Sequence, residues 1–128
     1  MATIFSRIIA GEIPCYKVAE NDKFFAFLDI NPLKRGHTLV VPKQETDYIF
    51  DLEDELLGEM MIFAKQVATK IKQEIECNRV AVVVLGLEVP HAHIHLIPIE
   101  SENDVDFHSE KLKLTPEEFS EIADKLSK

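Results

Sequence analysis

At 128 residues, with 46% hydrophobic and 29% charged side chains, the chain matches a single soluble globular domain (residues 1–128) long enough to bury a core without staples. Fourteen basic against 23 acidic residues leave a formal charge of −9. That balance disfavours nucleic-acid binding by phosphate neutralisation, yet leaves room for a small nucleotide in a locally positive pocket.

"TIFSRIIAGEIP" predicts a short helix with Ile4, Ile8 and Ile9 on one side and Gly11 as its stop. It carries no apolar core long enough for a signal peptide, and no run in the chain reaches the length of a membrane span. A cytoplasmic protein with no membrane partner is therefore expected. "CYKVAEN" and "KFFAFLDI" predict two strands joined by the polar turn residues Asn21 and Asp22. Cys15 and Cys77 lie far apart with no CxxC spacing, and read as buried, reduced thiols rather than metal ligands. Asn31-Pro32 breaks the chain, because the residue before proline avoids the helical region. "GHTLVVP" predicts a third strand between Gly36 and Pro42.

In "DLEDELLGEMMIFAKQVATKIKQEI", Leu52, Leu56, Met60, Phe63, Val67 and Ile71 recur at helical spacing, which predicts an amphipathic helix packed on a sheet. "RVAVVVLG" is apolar on both faces and predicts a central strand, with "HAHIHLIPI" as the next one. The acidic stretch "ESENDVDFHSE" reads as a solvated loop. "TPEEFSEIADKL" opens with Thr115 as N-cap, Pro116 at the first helical position and Glu118 closing a capping box. The strands cluster instead of alternating with helices. That order predicts an α+β fold: an antiparallel sheet of about five strands, with a long helix and a C-terminal helix mainly on one face.

Three of the five histidines, His91, His93 and His95, occupy alternate positions in "VPHAHIHLIPI". In a strand they share one face, with Ala92, Ile94 and Leu96 on the other, and His91 and His95 stand about 13 Å apart. Three readings are open. One straight strand cannot easily converge three imidazoles on one ion, although two of them with His37 or His108 could do so. A wet strand face would more often carry Thr, Lys, Glu or Ser. Neutral imidazole is a good nucleophile near neutral pH, and flanking N–H groups can hydrogen-bond a phosphate as charge builds there.

"HAHIHLI", with "IFSRIIAGEIP", "AFLDINPLKRGHTLVVPK" and the spacing between these blocks, resembles the histidine triad (HIT) family of nucleotide hydrolases and transferases, in its Hint-like branch. The resemblance covers residues 3–99; residues 100–128 do not carry it. It implies a HIT-like fold, a homodimer whose sheets join into a continuous larger sheet, and no cofactor. It makes His93 the nucleophile that attacks the α-phosphorus of a purine nucleoside monophosphate conjugate. A backbone carbonyl would hold the other ring nitrogen of His93. His91 and His95 match the phosphate-contacting members, and His37 an upstream histidine of the same cluster. Asp29 matches the acceptor of the ribose hydroxyls, beside a plainer reading as an Asx turn before Asn31-Pro32. Phe5, Ile8, Phe27 and Leu39 match apolar positions lining the base pocket.

Two departures stand out. The CxxC that binds zinc in part of the family is replaced by Thr3 and Ser6, so no structural zinc is expected. Where Hint-like relatives carry a polar pair after glycine, this chain has Leu87 and Glu88 after Gly86. A buried, protonated Glu88 could act as a general acid. The expected activity is hydrolysis of phosphoramidate-type conjugates. The alternatives are a dinucleoside polyphosphate hydrolase, or a nucleotide-binding protein with little turnover.

Overall fold

The computed structural model describes residues 2–128. Five strands pair side by side: β1 (Lys17–Glu20), β2 (Phe24–Leu28), β3 (Thr38–Pro42), β4 (Arg79–Val83) and β5 (Ile94–Ile99). Their order in the sheet is β1-β2-β3-β5-β4, and every pairing is antiparallel. Asn21 makes the β1–β2 turn, its Oδ1 accepting from the Lys23 and Phe24 N–H groups.

Alternation gives the sheet two different faces. Phe24, Ala26, Leu28, Val40, Ile94 and Leu96 pack with Met60, Phe63, Val67 and Ile71 of helix α2 (Asp54–Glu74) and with Phe119, Ile122 and Leu126 of helix α3 (Pro116–Leu126). The Thr115–Glu118 capping box opens α3 as expected. Phe25, Phe27, Leu39 and Val41 point the other way and meet Phe5 and Ile8 of the short helix α1 (Ile4–Ile9). The apolar side of α1 is therefore Phe5, Ile8 and the partly buried Ile9, and of the three expected residues only Ile4 turns away. Ile4 is half exposed, because Thr3 rather than an earlier residue caps the helix and sets its rotation.

Three further expectations change. "RVAVVVLG" is not central: among the described residues β4 pairs only with β5 and forms a sheet edge, leaving Val82, Val84 and Leu85 exposed. Its double-sided apolar pattern reflects an unpaired edge, not burial on both faces. The strand of the histidine motif begins at Ile94, so His91 and His93 precede the ladder. The acidic stretch is not plain solvated loop. A 3-10 turn at Glu102–Val105 carries a Ser101–Asp104 capping box, and the Lys34–Asp104 ion pair ties it down. Cys15 and Cys77 are free and half-buried, and burial raises both thiols above their ordinary range. Among the described residues no helix is long and apolar enough to cross a membrane.

Candidate active site

Register assembles the site. Phe27 pairs with Leu39, Leu39 with His95, and His95 with Val83, so one row of the sheet runs from the apolar cluster under α1 to the histidines. Phe5 reaches over this row, its ring edge-on to Phe27 at 5.5 Å, His93 at 5.1 Å and His91 at 5.8 Å. Phe5, Ile8, Phe27 and Leu39 thus form one apolar cluster beside the imidazoles.

His37, His91, His93 and His95 are all buried, at 1%, 0%, 7% and 8% exposure. The face that strand alternation marks as wet is closed, and that closure fixes protonation. The Nδ1 of His93 lies 2.8 Å from the His91 carbonyl. A carbonyl only accepts, so Nδ1 carries the proton and Nε2 holds a bare lone pair. The Nδ1 of His37 accepts from the Leu33 N–H at 3.0 Å, so its proton sits on Nε2. That Nε2–H donates to Nδ1 of His95 at 3.0 Å, which leaves His95 with a free Nε2–H. The backbone N–H of Leu33 therefore sets the tautomer of His95 two bonds away. Desolvation keeps the three rings neutral. It pushes His37 down to about 3 and His95 to about 4, and lowers His93 as well, against the opposing pull of the His91 carbonyl.

His91 differs. Its Nε2–H donates to the Pro42 carbonyl at 2.8 Å, so Nδ1 is the acceptor and the Thr3 hydroxyl donates to it at 2.7 Å. No ring nitrogen remains for a phosphate. Of the two flanking histidines expected to contact phosphate, His95 keeps one ring nitrogen unengaged, whereas both ring nitrogens of His91 are taken up by Pro42 and Thr3 before the strand begins.

Asp29 serves two groups. Its Oδ1 accepts from the Asn31 N–H at 2.8 Å, the Asx turn, while Oδ2 lies 3.5 Å from His37 Nε2. Burial raises its carboxyl above the ordinary range, opposed by the Asn31 N–H and the charge of Lys111. Asp29, His37 and His95 bring one oxygen and two nitrogens within 4.8 Å of one another. They do not suit a metal: His37 Nε2 bears a proton because Nδ1 must stay bare for Leu33, so it has no lone pair to give. Zinc does not fit at Thr3 and Ser6 either, where neutral hydroxyls and a doubly occupied His91 replace thiolates. His108 and Glu88 are both exposed, so the burial considered for Glu88 is absent.

Sequence reasoning missed Leu33, Pro42, Glu45 and Phe107. The Phe107 ring packs edge-on to His95 at 4.8 Å and brings the acidic segment onto the site. Backbone carbonyls and N–H groups leave no side-chain signal. Phe107, the lone aromatic in an acidic stretch, was the available clue.

The HIT domain family model matches residues 10–102. The chain belongs to the HIT family. An uncharacterised HIT-like protein of Borreliella burgdorferi is 35% identical over 132 residues, covering 97% of this chain and 95% of that one. An adenosine 5′-monophosphoramidase of Schizosaccharomyces pombe is 33% identical over 133 residues, covering 99% and 97%. Among HIT structures, a Hit-like protein from Bartonella henselae, described as involved in cell-cycle regulation, superposes with a TM-score of 0.83. It is 28% identical, with 98% of this chain and 94% of that chain covered. The five-stranded antiparallel sheet with three helices is thus the HIT fold.

Proposed function

We propose that this chain hydrolyses purine nucleoside monophosphate conjugates of the phosphoramidate type, through a nucleotidyl intermediate on His93. One observation carries the reading. The rings of His93, with a bare Nε2, and His95, with its proton on Nε2, lie with centroids 5.0 Å apart, a neutral nucleophile beside a neutral donor. In the first step Nε2 of His93 bonds to the α-phosphorus and the phosphorus–nitrogen bond to the amine breaks, the amine leaving with a proton from water. The His95 Nε2–H hydrogen-bonds a phosphoryl oxygen as charge builds there. The hydroxide left by that water then attacks phosphorus, the histidine–phosphorus bond breaks and returns its electron pair to Nε2, and the nucleoside monophosphate departs. The apolar cluster of Phe5, Ile8, Phe27 and Leu39 takes the base, and Asp29 accepts from the ribose hydroxyls. The S. pombe relative, named for the same class of reaction, supports the substrate choice.

The test is His93→Ala assayed with adenosine 5′-phosphoramidate. Turnover is expected to vanish while AMP still binds by calorimetry. Hydrolysis at the wild-type rate by the variant contradicts the mechanism. Wild-type protein that binds AMP and never turns over contradicts the hydrolase reading itself.

A further inference from the structure

The peptide between His91 and Ala92 is held from both sides. Its carbonyl accepts from His93 Nδ1–H at 2.8 Å, and its N–H donates to the Thr46 carbonyl at 2.6 Å. The His91 ring is anchored by two separate parts of the chain, Pro42 at the end of β3 and Thr3 at the start of α1. Thr3 does two things at once: its Oγ accepts from the Ser6 N–H at 3.0 Å, capping α1, and its hydroxyl proton goes to His91 Nδ1.

Glu45 decides where the hydroxyl protons point. Its Oε1 accepts from the Thr3 N–H at 3.0 Å and from the Ser6 hydroxyl at 2.5 Å. The Ser6 hydroxyl lies only 3.4 Å from His91 Nδ1 and 3.2 Å from Thr3 Oγ. Glu45 thus draws the Ser6 proton away from the ring and leaves Nδ1 to Thr3. Both contacts to this exposed carboxylate hold its pKa below the ordinary range, so it remains an anion and a strong acceptor near neutral pH.

We propose that Thr3, Ser6 and Glu45 are positioning residues for His93 that act through His91. They lock the His91 ring with its proton on Nε2, and so hold the His91 carbonyl where it keeps the His93 proton on Nδ1. The proposal rests on the reading of His93 as nucleophile. Without the Thr3 hydroxyl, Nδ1 of His91 has no fixed donor. The ring can then take the other tautomer, whose bare Nε2 faces the Pro42 carbonyl lone pairs and pushes the ring away. Because Phe5 sits on the same helix against His93, a loosened α1 also shifts the apolar cluster beside that ring.

The test reads the ring nitrogens by NMR of histidine-labelled, ligand-free protein, alongside kcat and KM for adenosine 5′-phosphoramidate. Wild type should hold His93 as a single Nδ1–H tautomer. Thr3→Val should give a tautomer mixture at His93 and lower kcat at least about tenfold, as expected when a reacting group is slightly misplaced, with KM little changed. Thr3→Ser should restore both. Glu45→Ala, which leaves the Thr3 cap in place, should act in the same direction. An unchanged His93 tautomer in Thr3→Val and Glu45→Ala overturns the proposal whatever the turnover. Because the tautomer readout needs no substrate, failure of the hydrolase reading (an inactive wild type) is distinguishable from failure of this proposal (an unchanged His93 tautomer).

Discussion

At the scale of single residues, the buried histidine cluster holds fixed protons rather than charge. His93 offers a lone pair and His95 a hydrogen because backbone groups dictate each tautomer. Replacing His37 with Ala removes the group that holds His95, so His95 can present a lone pair instead of a hydrogen to the phosphoryl oxygen. Loss of one such donor predicts a fall in kcat of about 10²-fold with His93 still able to react, measurable by single-turnover kinetics. Wild-type kcat in His37→Ala would remove His37 from the relay. Burial lowers His93, so the acid limb of the kcat/KM profile should fall below the ordinary histidine value of about 6.5, and a limb above it would contradict the desolvated nucleophile. His93 and His95 stood out in the sequence by their alternation, whereas His37 entered only through the family resemblance. The orientation of the His91 ring was not legible, since alternation predicts its face only inside a ladder, and the ladder begins three residues later at Ile94.

At the scale of elements, the histidines depend on how the chain enters β3. Gly36 has φ +92°, and a Cβ there would run into the Ile75 side chain at the end of α2. Gly36→Ala should cost about 1–3 kcal/mol, from left-handed strain and from the shift forced on Ile75, and a neighbouring His37 displaced with it should lose activity. Denaturant unfolding and kcat measured together check this, and an unchanged midpoint would contradict the packing. Thr115→Ala should remove the α3 cap for about 1 kcal/mol without touching turnover. The capping box, the Asn21 turn and the α2 stripe from Leu56 onward follow local rules and match the structure, whereas Leu52 lies before α2, at the end of a 3-10 turn. The place of β4 was not legible, since composition distinguishes an edge from a centre only when something covers it. Val82, Val84 and Leu85 look like core residues and stand exposed.

At the scale of the whole molecule, that edge has a predicted use. β4 ends the sheet with apolar side chains exposed, the situation that proteins ordinarily cover. A homodimer joined there should sediment as two copies, and Val82→Lys with Leu85→Glu should leave a folded monomer; a monomeric wild type would contradict it. Buried neutral histidines also link stability to pH. The unfolded chain takes up protons below about 6.5, while folded His95 waits until about 4 and His37 until about 3. Stability is therefore full above 6.5 and falls as pH drops toward 4, by up to about 1.4 kcal/mol per pH unit for each ring, Asp29 acting in the opposite sense. Denaturation midpoints at several pH values check the slope, and a flat profile would contradict buried neutral rings. The most direct test of the whole account is an alkaline quench of wild-type protein during turnover of adenosine 5′-phosphoramidate, which preserves histidine–phosphorus bonds, followed by mass mapping of the protein. One adenylyl group, on His93, is the expected result. Steady turnover with no adenylylated protein, or the group on another residue, would contradict it.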